Sequence, residues 1–272
     1  MQNNLRPGGN MKEKKSELTD GSSRLVERLG LFWNVIRELT RSINDRVEGF
    51  SIYQESEKEL ALRLAARAAK IRIDSPLLPL MNVLPHLHFP EGTLLDYYQY
   101  GSSLGSEPEL YVRKENERRL PNNSEPFSRD PNPNVLRVLD AVRPEFTPEG
   151  VWELLLLMEF GSQFNLVWHA AYGTARIICD MEEFFSGRYF GERNQCRFDV
   201  SRLSDDERSE LLSWDVVPKV KLKDGKAIVN YCVFSPFFGF IKCRRTILFT
   251  PELRLQKPVK MKKIPYSCGI TF

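Results

Sequence analysis

The sequence predicts an α+β protein, an N-terminal helical hairpin and a buried helical pair followed by a C-terminal antiparallel β-meander. Three patterns carry that expectation. Leu25, Leu29, Phe32, Ile36, Leu39, Ile43 and Val47 recur at steps of three and four, which places them on one stripe of a helix over about residues 24–48. Thr147-Pro148-Glu149 supplies an N-cap, a proline at the first helical position and an early acid, and it leads into VWELLLLMEF, which is apolar on nearly every side. Alternating runs on either side of Asp224-Gly225 then read as strands joined by a tight hairpin turn. Helices first and strands last is the α+β order.

The elements between follow in turn. Gly49 can end the first helix, and Leu60, Leu64, Ala68 and Ile71 then share a second helical face, so a short connector makes an antiparallel pair. Prolines at 76, 79, 85 and 90 forbid a long helix over 74–90, because each lacks a backbone donor and restricts its predecessor. A short strand is expected around 110–112, and the Pro/Asn-rich stretch 115–134 reads as a linker or long surface loop. Past a break at Gly161-Ser162 the apolar pattern continues through Phe164, Val167, Trp168, Ala171, Ala175, Ile178 and Met181 to Ser186-Gly187, suggesting a second core helix. Ser204-Asp205-Asp206-Glu207 has capping-box spacing and opens a short helix ending near Trp214. Strands are expected over 216–222, 227–234 and 238–249, with a turn at Ser235-Pro236. The organisation is therefore a disordered tail over 1–22, a helical hairpin with a proline-broken segment over 23–114, the linker 115–134, and a helical pair plus sheet over 135–272, which can also join 23–114 in one domain.

Composition narrows the class. With 272 residues, 42% apolar and 28% charged, the chain can bury a core without disulfides or metal. The longest uncharged runs, 160–175 and 227–241, fall short of the roughly 20 apolar residues a spanning helix needs. The polar N-terminus has no apolar signal segment, and five cysteines without a CxxC pair fit reduced thiols, so a cytoplasmic protein is expected.

Candidate chemistry is sparse. His86 and His88 lie in PHLHF, an extended HxH that turns both imidazoles to one side, and His169 would complete a three-nitrogen metal site of a hydrolase. The plainer reading is that the histidines satisfy local hydrogen bonds. Asp215 and Asp224-Gly225-Lys226 could be aligned with a nuclease-type metal site, but the hairpin turn accounts for Asp224 and Gly225 without one. Gly101-Ser-Ser-Leu-Gly105-Ser106 lacks the lysine of a P-loop and the spacing of a dinucleotide fingerprint, so a surface loop is expected. No cofactor motif is present.

Charge is more telling. Residues 242–263 hold eight Lys/Arg against the single acid Glu252, a formal +7, which leaves 31 basic and 35 acidic residues elsewhere. The leading expectation is a non-enzymatic binding or regulatory protein that meets an anionic partner (nucleic acid, anionic membrane or acidic protein) through Lys242, Arg244, Arg245, Lys260, Lys262 and Lys263. Phe234, Phe237, Phe238, Phe240 and Tyr266 lie close by, suited to stacking on bases or to entering a headgroup layer. The competing expectation is a basic sheet edge that only blocks aggregation. The 25–47 stripe offers a protein partner a coiled-coil face, although packing within its own fold is the simpler role.

Overall fold

The structure, a computed structural model, describes residues 20–47, 75–102, 105–120, 135–164, 166, 174–186, 198–250 and 252–266. The expected tail up to residue 19, the second helix of the N-terminal hairpin, the linker beyond residue 120 and His169 lie outside the described residues.

Helix α1 (Asp20–Val47) begins before the expected boundary and buries Leu25, Leu29, Phe32, Ile36 and Leu39, together with Val35. Its stripe faces helix α4 (Pro148–Phe160), whose Trp152 indole N–H donates to the Leu25 carbonyl at 2.9 Å. The α4 start is as the sequence specifies: the Thr147 side chain accepts from the Gly150 N–H, with Pro148 in the first turn. Between these helices in sequence come a short helix α2 (Leu78–Asn82), strand β1 (Leu87–His88), the hairpin β2 (Thr93–Ser102) and β3 (Gly105–Lys114), strand β4 (Val135–Arg137), a single helical turn α3 (Val138–Ala141) and strand β5 (Arg143–Pro144). β1 pairs with β5, and β2, β3 and β4 form an antiparallel sheet in that order. Four residues expected in a surface loop extend the β2–β3 ladder, with Gly101 opposite Ser106 and Ser102 opposite Gly105.

The main sheet holds strands β6 (Arg176–Ile178), β7 (Lys219–Lys223), β8 (Lys226–Ser235), β9 (Gly239–Leu248), β10 (Arg254–Leu255) and β11 (Val259–Ile264), all pairings antiparallel. β8 and β9 are central. β7 and β6 share the outer side of β8, while β10 and β11 share the outer side of β9. Asp224 and Gly225 both take positive φ, 48° and 71°, the conformation a two-residue hairpin turn requires. Gly239 also has positive φ, and a Cβ there would meet the Ile264 carbonyl oxygen at 2.2 Å.

The second core helix expected beyond Gly161 is corrected in its described part. Arg176–Ile178 is a strand, and a short helix, α5 (Met181–Phe185), follows it. Ile177 enters one hydrophobic cluster and Ile178 the other, so this edge strand is apolar on both faces and imitates a buried helix in sequence. The first cluster joins α1, α4 and one face of the main sheet. The second gathers Phe184, Leu211, Trp214, Phe234, Phe240 and Tyr266 beneath α5 and helix α6 (Asp205–Leu212), which carries the expected capping box between Ser204 and Glu207.

One polar joint is buried within the smaller sheet. Asp96, fully buried, accepts from Arg113 Nε at 2.7 Å, Arg119 Nε at 2.9 Å and the Tyr97 N–H at 2.8 Å. Arg113 also donates to the carbonyls of Lys114, Glu115 and Glu117, so this one guanidinium stitches β3 to the turn after it.

This packing sets the cost of two substitutions. Phe32→Ala or Ile36→Ala will cost about 2–5 kcal/mol, read by denaturant unfolding; a change under about 0.5 kcal/mol for both would show that α1 is not seated on α4. Asp96→Ala strands two guanidiniums and will cost about 3–5 kcal/mol in the same measurement.

Candidate functional site, a basic face on the main sheet

The pleat of the main sheet sorts its cations. On β7 the sequence KVKLK alternates: Lys219, Lys221 and Lys223 are exposed, while Val220 and Leu222 pack on the core. Register carries that exposed face across the strands. Lys219 stands opposite Asn230, Asn230 opposite Arg244, and Arg244 opposite Val259. A second row runs Lys223, Lys226, Leu248 and Arg254, and a third holds Lys242 opposite Lys262. Lys219, Lys221, Lys223, Lys226, Lys242, Arg244, Arg254 and Lys262 therefore share one outer face.

The opposite face is the core. Ala227, Val229, Tyr231, Val233, Ile241, Cys243 and Ile247 all belong to the cluster under α1 and α4. Arg245, opposite Val229, points the same way and forms an ion pair with Glu159 of α4 at 2.8 Å, its side chain only 12% exposed. This divides the expected contact set between the two faces. Of the six residues, Lys242, Arg244 and Lys262 lie together on the outer face; Arg245 is turned inward; Lys260 and Lys263 are paired with Cys243 and Ile241 and so have the opposite parity on the edge strand. The irregularity between Lys260 and Lys262 is where the parity switches.

Acids at the rim hold some of these cations. Lys219 pairs with Asp215, Lys223 with Asp224, Arg254 with Glu252 at 2.6 Å, and Lys262 with Glu210 at 2.7 Å. Lys242 and Lys262 also lie 5.7 Å and 5.3 Å from the Trp214 ring centroid. Among the described residues Lys221, Lys226, Lys242 and Arg244 have no ion-pair partner, and Arg244 bonds only to the Asn230 side chain, at 3.0 Å. Most nearby aromatics are already committed to packing: Phe234, Phe240 and Tyr266 are core, and Phe238, 54% exposed, sits at the turn beneath Lys260.

Charge counting along the chain misses the lysines of β7. Asp215 and Asp224 reduce residues 215–224 to a formal +1 in the sum, whereas the period-2 alternation of KVKLK is a readable signal for a strand with one cationic face.

Of the three histidines, His86 and His88 each meet a glutamate. His86 gives its backbone N–H to Glu153 Oε2 and shares its Nδ1 with Oε1, both at 2.8 Å. Glu153 is fully buried on α4, with Arg28 Nε 3.6 Å away; burial lifts its carboxyl above the usual range, against the downward pull of His86 and Arg28. His88 meets Glu145 at 3.1 Å. Among the described residues no three His, Cys, Asp or Glu side chains are grouped to share a metal ion.

Asp215 pairs with Lys219, and the Asp224-Gly225 turn lies beyond β7, so both acids are accounted for by strand geometry. No helix among the described residues is long and apolar enough to cross a membrane. No family model, curated protein or solved structure matches this chain.

Three cysteines are buried, and burial pushes the thiols of Cys179 and Cys243 up to about 12 and about 11, with Cys232 raised as well. In the native protein at pH 8 these three will not react with an aromatic disulfide reagent on the minutes scale and will all react once denatured. Labelling of all five cysteines without denaturant would overturn the packing of both clusters around β8 and β9.

Proposed function

We propose that this protein is a non-enzymatic nucleic-acid-binding protein whose outer sheet face, centred on Lys221, Lys226, Lys242 and Arg244, meets the phosphate backbone. The observation that supports this most is the gathering of cations from β7, β8, β9, β10 and β11 onto one side of a single sheet, with four of them lacking acidic partners among the described residues. Lysines two residues apart on a strand repeat at about 7 Å, a spacing that lets neighbouring side chains take successive phosphates of one strand. Affinity on such a face comes from counterion release and is largely indifferent to sequence.

A nucleic acid fits this face better than a lipid surface does. Membrane-surface elements pair their cations with a substantial apolar face, and here the exposed large apolar groups near the basic segment among the described residues are three, Phe238 at a turn and Val259 and Met261 on the edge strand β11.

The test is the charge reversal Lys221→Glu with Arg244→Glu. Both side chains are exposed, so the melting temperature should stay near that of the wild type. Binding to an oligonucleotide should fall about tenfold or more at low salt, and the slope of log K against log salt should shrink by about 0.7 to 0.9 for each phosphate that the variant no longer neutralises. Arg245→Glu is the contrasting variant: it places an acid beside Glu159 in the interior and should lower stability. Binding to anionic vesicles but not to oligonucleotides would transfer the face to a membrane role; binding to neither would remove it as a functional site.

A further inference from the structure

Among the described residues, arginines that reach into the fold are held by acids, with Arg176 as an exception. Arg113 is held by Asp96 and Arg245 by Glu159. Arg176, the first residue of β6, instead lies flat on Trp33 of α1, its guanidinium carbon 4.1 Å from the ring centroid. Its Nε is sealed from solvent and has no acceptor. Trp33 is itself gripped edge-on by Phe32 and Phe160 at 5.4 Å and 5.9 Å, so the platform under Arg176 is rigid.

A second guanidinium is close. Arg37 lies one helical turn beyond Trp33 on the same side of α1. Together with burial, its positive charge draws the pKa of Arg176 down to about 10. Arg37 bonds only to the side chain of Asn34, and among the described residues neither arginine has an ion-pair partner. Two like charges near one indole, neither with an acid among the described residues, attract an anion of a size to meet both.

We propose that Arg176, Arg37 and Trp33 form a binding site for a compact oxyanion of the phosphate class, separate from the basic sheet face. The chemistry fits each part. A guanidinium presents its donors as a planar fork that matches two oxygens of one anion, and stacking on Trp33 holds that fork in a single plane. The anion would accept from the terminal nitrogens of the Arg176 guanidinium, which are not sealed as Nε is, and would offset the repulsion between the arginines. Arg37, on the exposed side of α1, can close on the ligand from solvent.

Inorganic phosphate is the probe, compared with chloride at equal ionic strength. Phosphate at about ten times its dissociation constant should raise the melting temperature of the wild-type protein by roughly 2–6 °C, and the ³¹P resonance should broaden with added protein. Arg37→Gln alters an exposed side chain, so it should fold normally and lose most of the response; Arg176→Gln should lose all of it. The sheet variant Lys221→Glu with Arg244→Glu should respond as the wild type does, which separates this site from the nucleic-acid face. A phosphomonoester run beside inorganic phosphate distinguishes the source: tighter binding of the ester assigns the site to a phosphoryl group on a larger molecule, equal binding to the free ion. No stabilisation beyond chloride, an undiminished response in Arg37→Gln, or loss of the response in the sheet variant would each overturn the proposal.

Discussion

The basic face depends on the seating of α4 against the other side of the main sheet. Side chains on a strand alternate strictly, so once Val229, Tyr231, Val233, Ile241 and Cys243 are packed under α1 and α4, every neighbour of opposite parity must face away. Lys242 and Arg244 are turned outward for that reason, and Arg245 is not. A slip of one residue in the β8–β9 register would bury Arg244 and expose the core. The Trp152 contact with Tyr231, ring centroids 6.4 Å apart, and the Glu159 ion pair with Arg245 both tie α4 to the register that produces the face.

The interior carboxylates show how this chain manages polar groups it cannot expose. Asp96 is surrounded by donors from two arginines and a backbone N–H, and Glu153 engages both the backbone and the ring of His86. Each binds together segments far apart in sequence: Asp96 joins β2 to β3 and to the residues after it, and Glu153 joins α4 to the chain entering β1. A buried charge is tolerated at such sites because its hydrogen-bonding capacity is filled. Against that standard Arg176 stands apart, a half-buried cation with a sealed Nε, supported by an aromatic face and by no acid among the described residues.

Local chemistry is readable where a few adjacent residues decide the outcome. The Thr147 cap, the Ser204–Glu207 box, the Asp224-Gly225 turn and the buried part of the 25–47 stripe all rest on short-range rules, and the structure has each of them. Arg176–Ile178 reads as helix in sequence because an edge strand buried on two faces has no alternation to reveal it. The β2–β3 hairpin is legible only in part, at 110–112, since the glycines at its tip resemble a loop and the paired partner lies outside any local window. Neither hairpin nor edge strand is specified until distant segments meet.

By itself the sequence determined the α+β class, a helical N-terminus with antiparallel strands at the C-terminus, the caps at Thr147 and Ser204 and the concentration of positive charge towards the C-terminus. Those properties are set by composition, periodicity and residues within one or two turns of each other. Only the tertiary structure decided which cations stand together. Lys221 and Arg244 are far apart in the chain yet lie on one face, whereas Arg244 and Arg245 are adjacent and lie on opposite faces. The physical reason is that charge along a chain adds up irrespective of direction, while a face is defined by strand parity and register, which depend on what the other side of the sheet must bury.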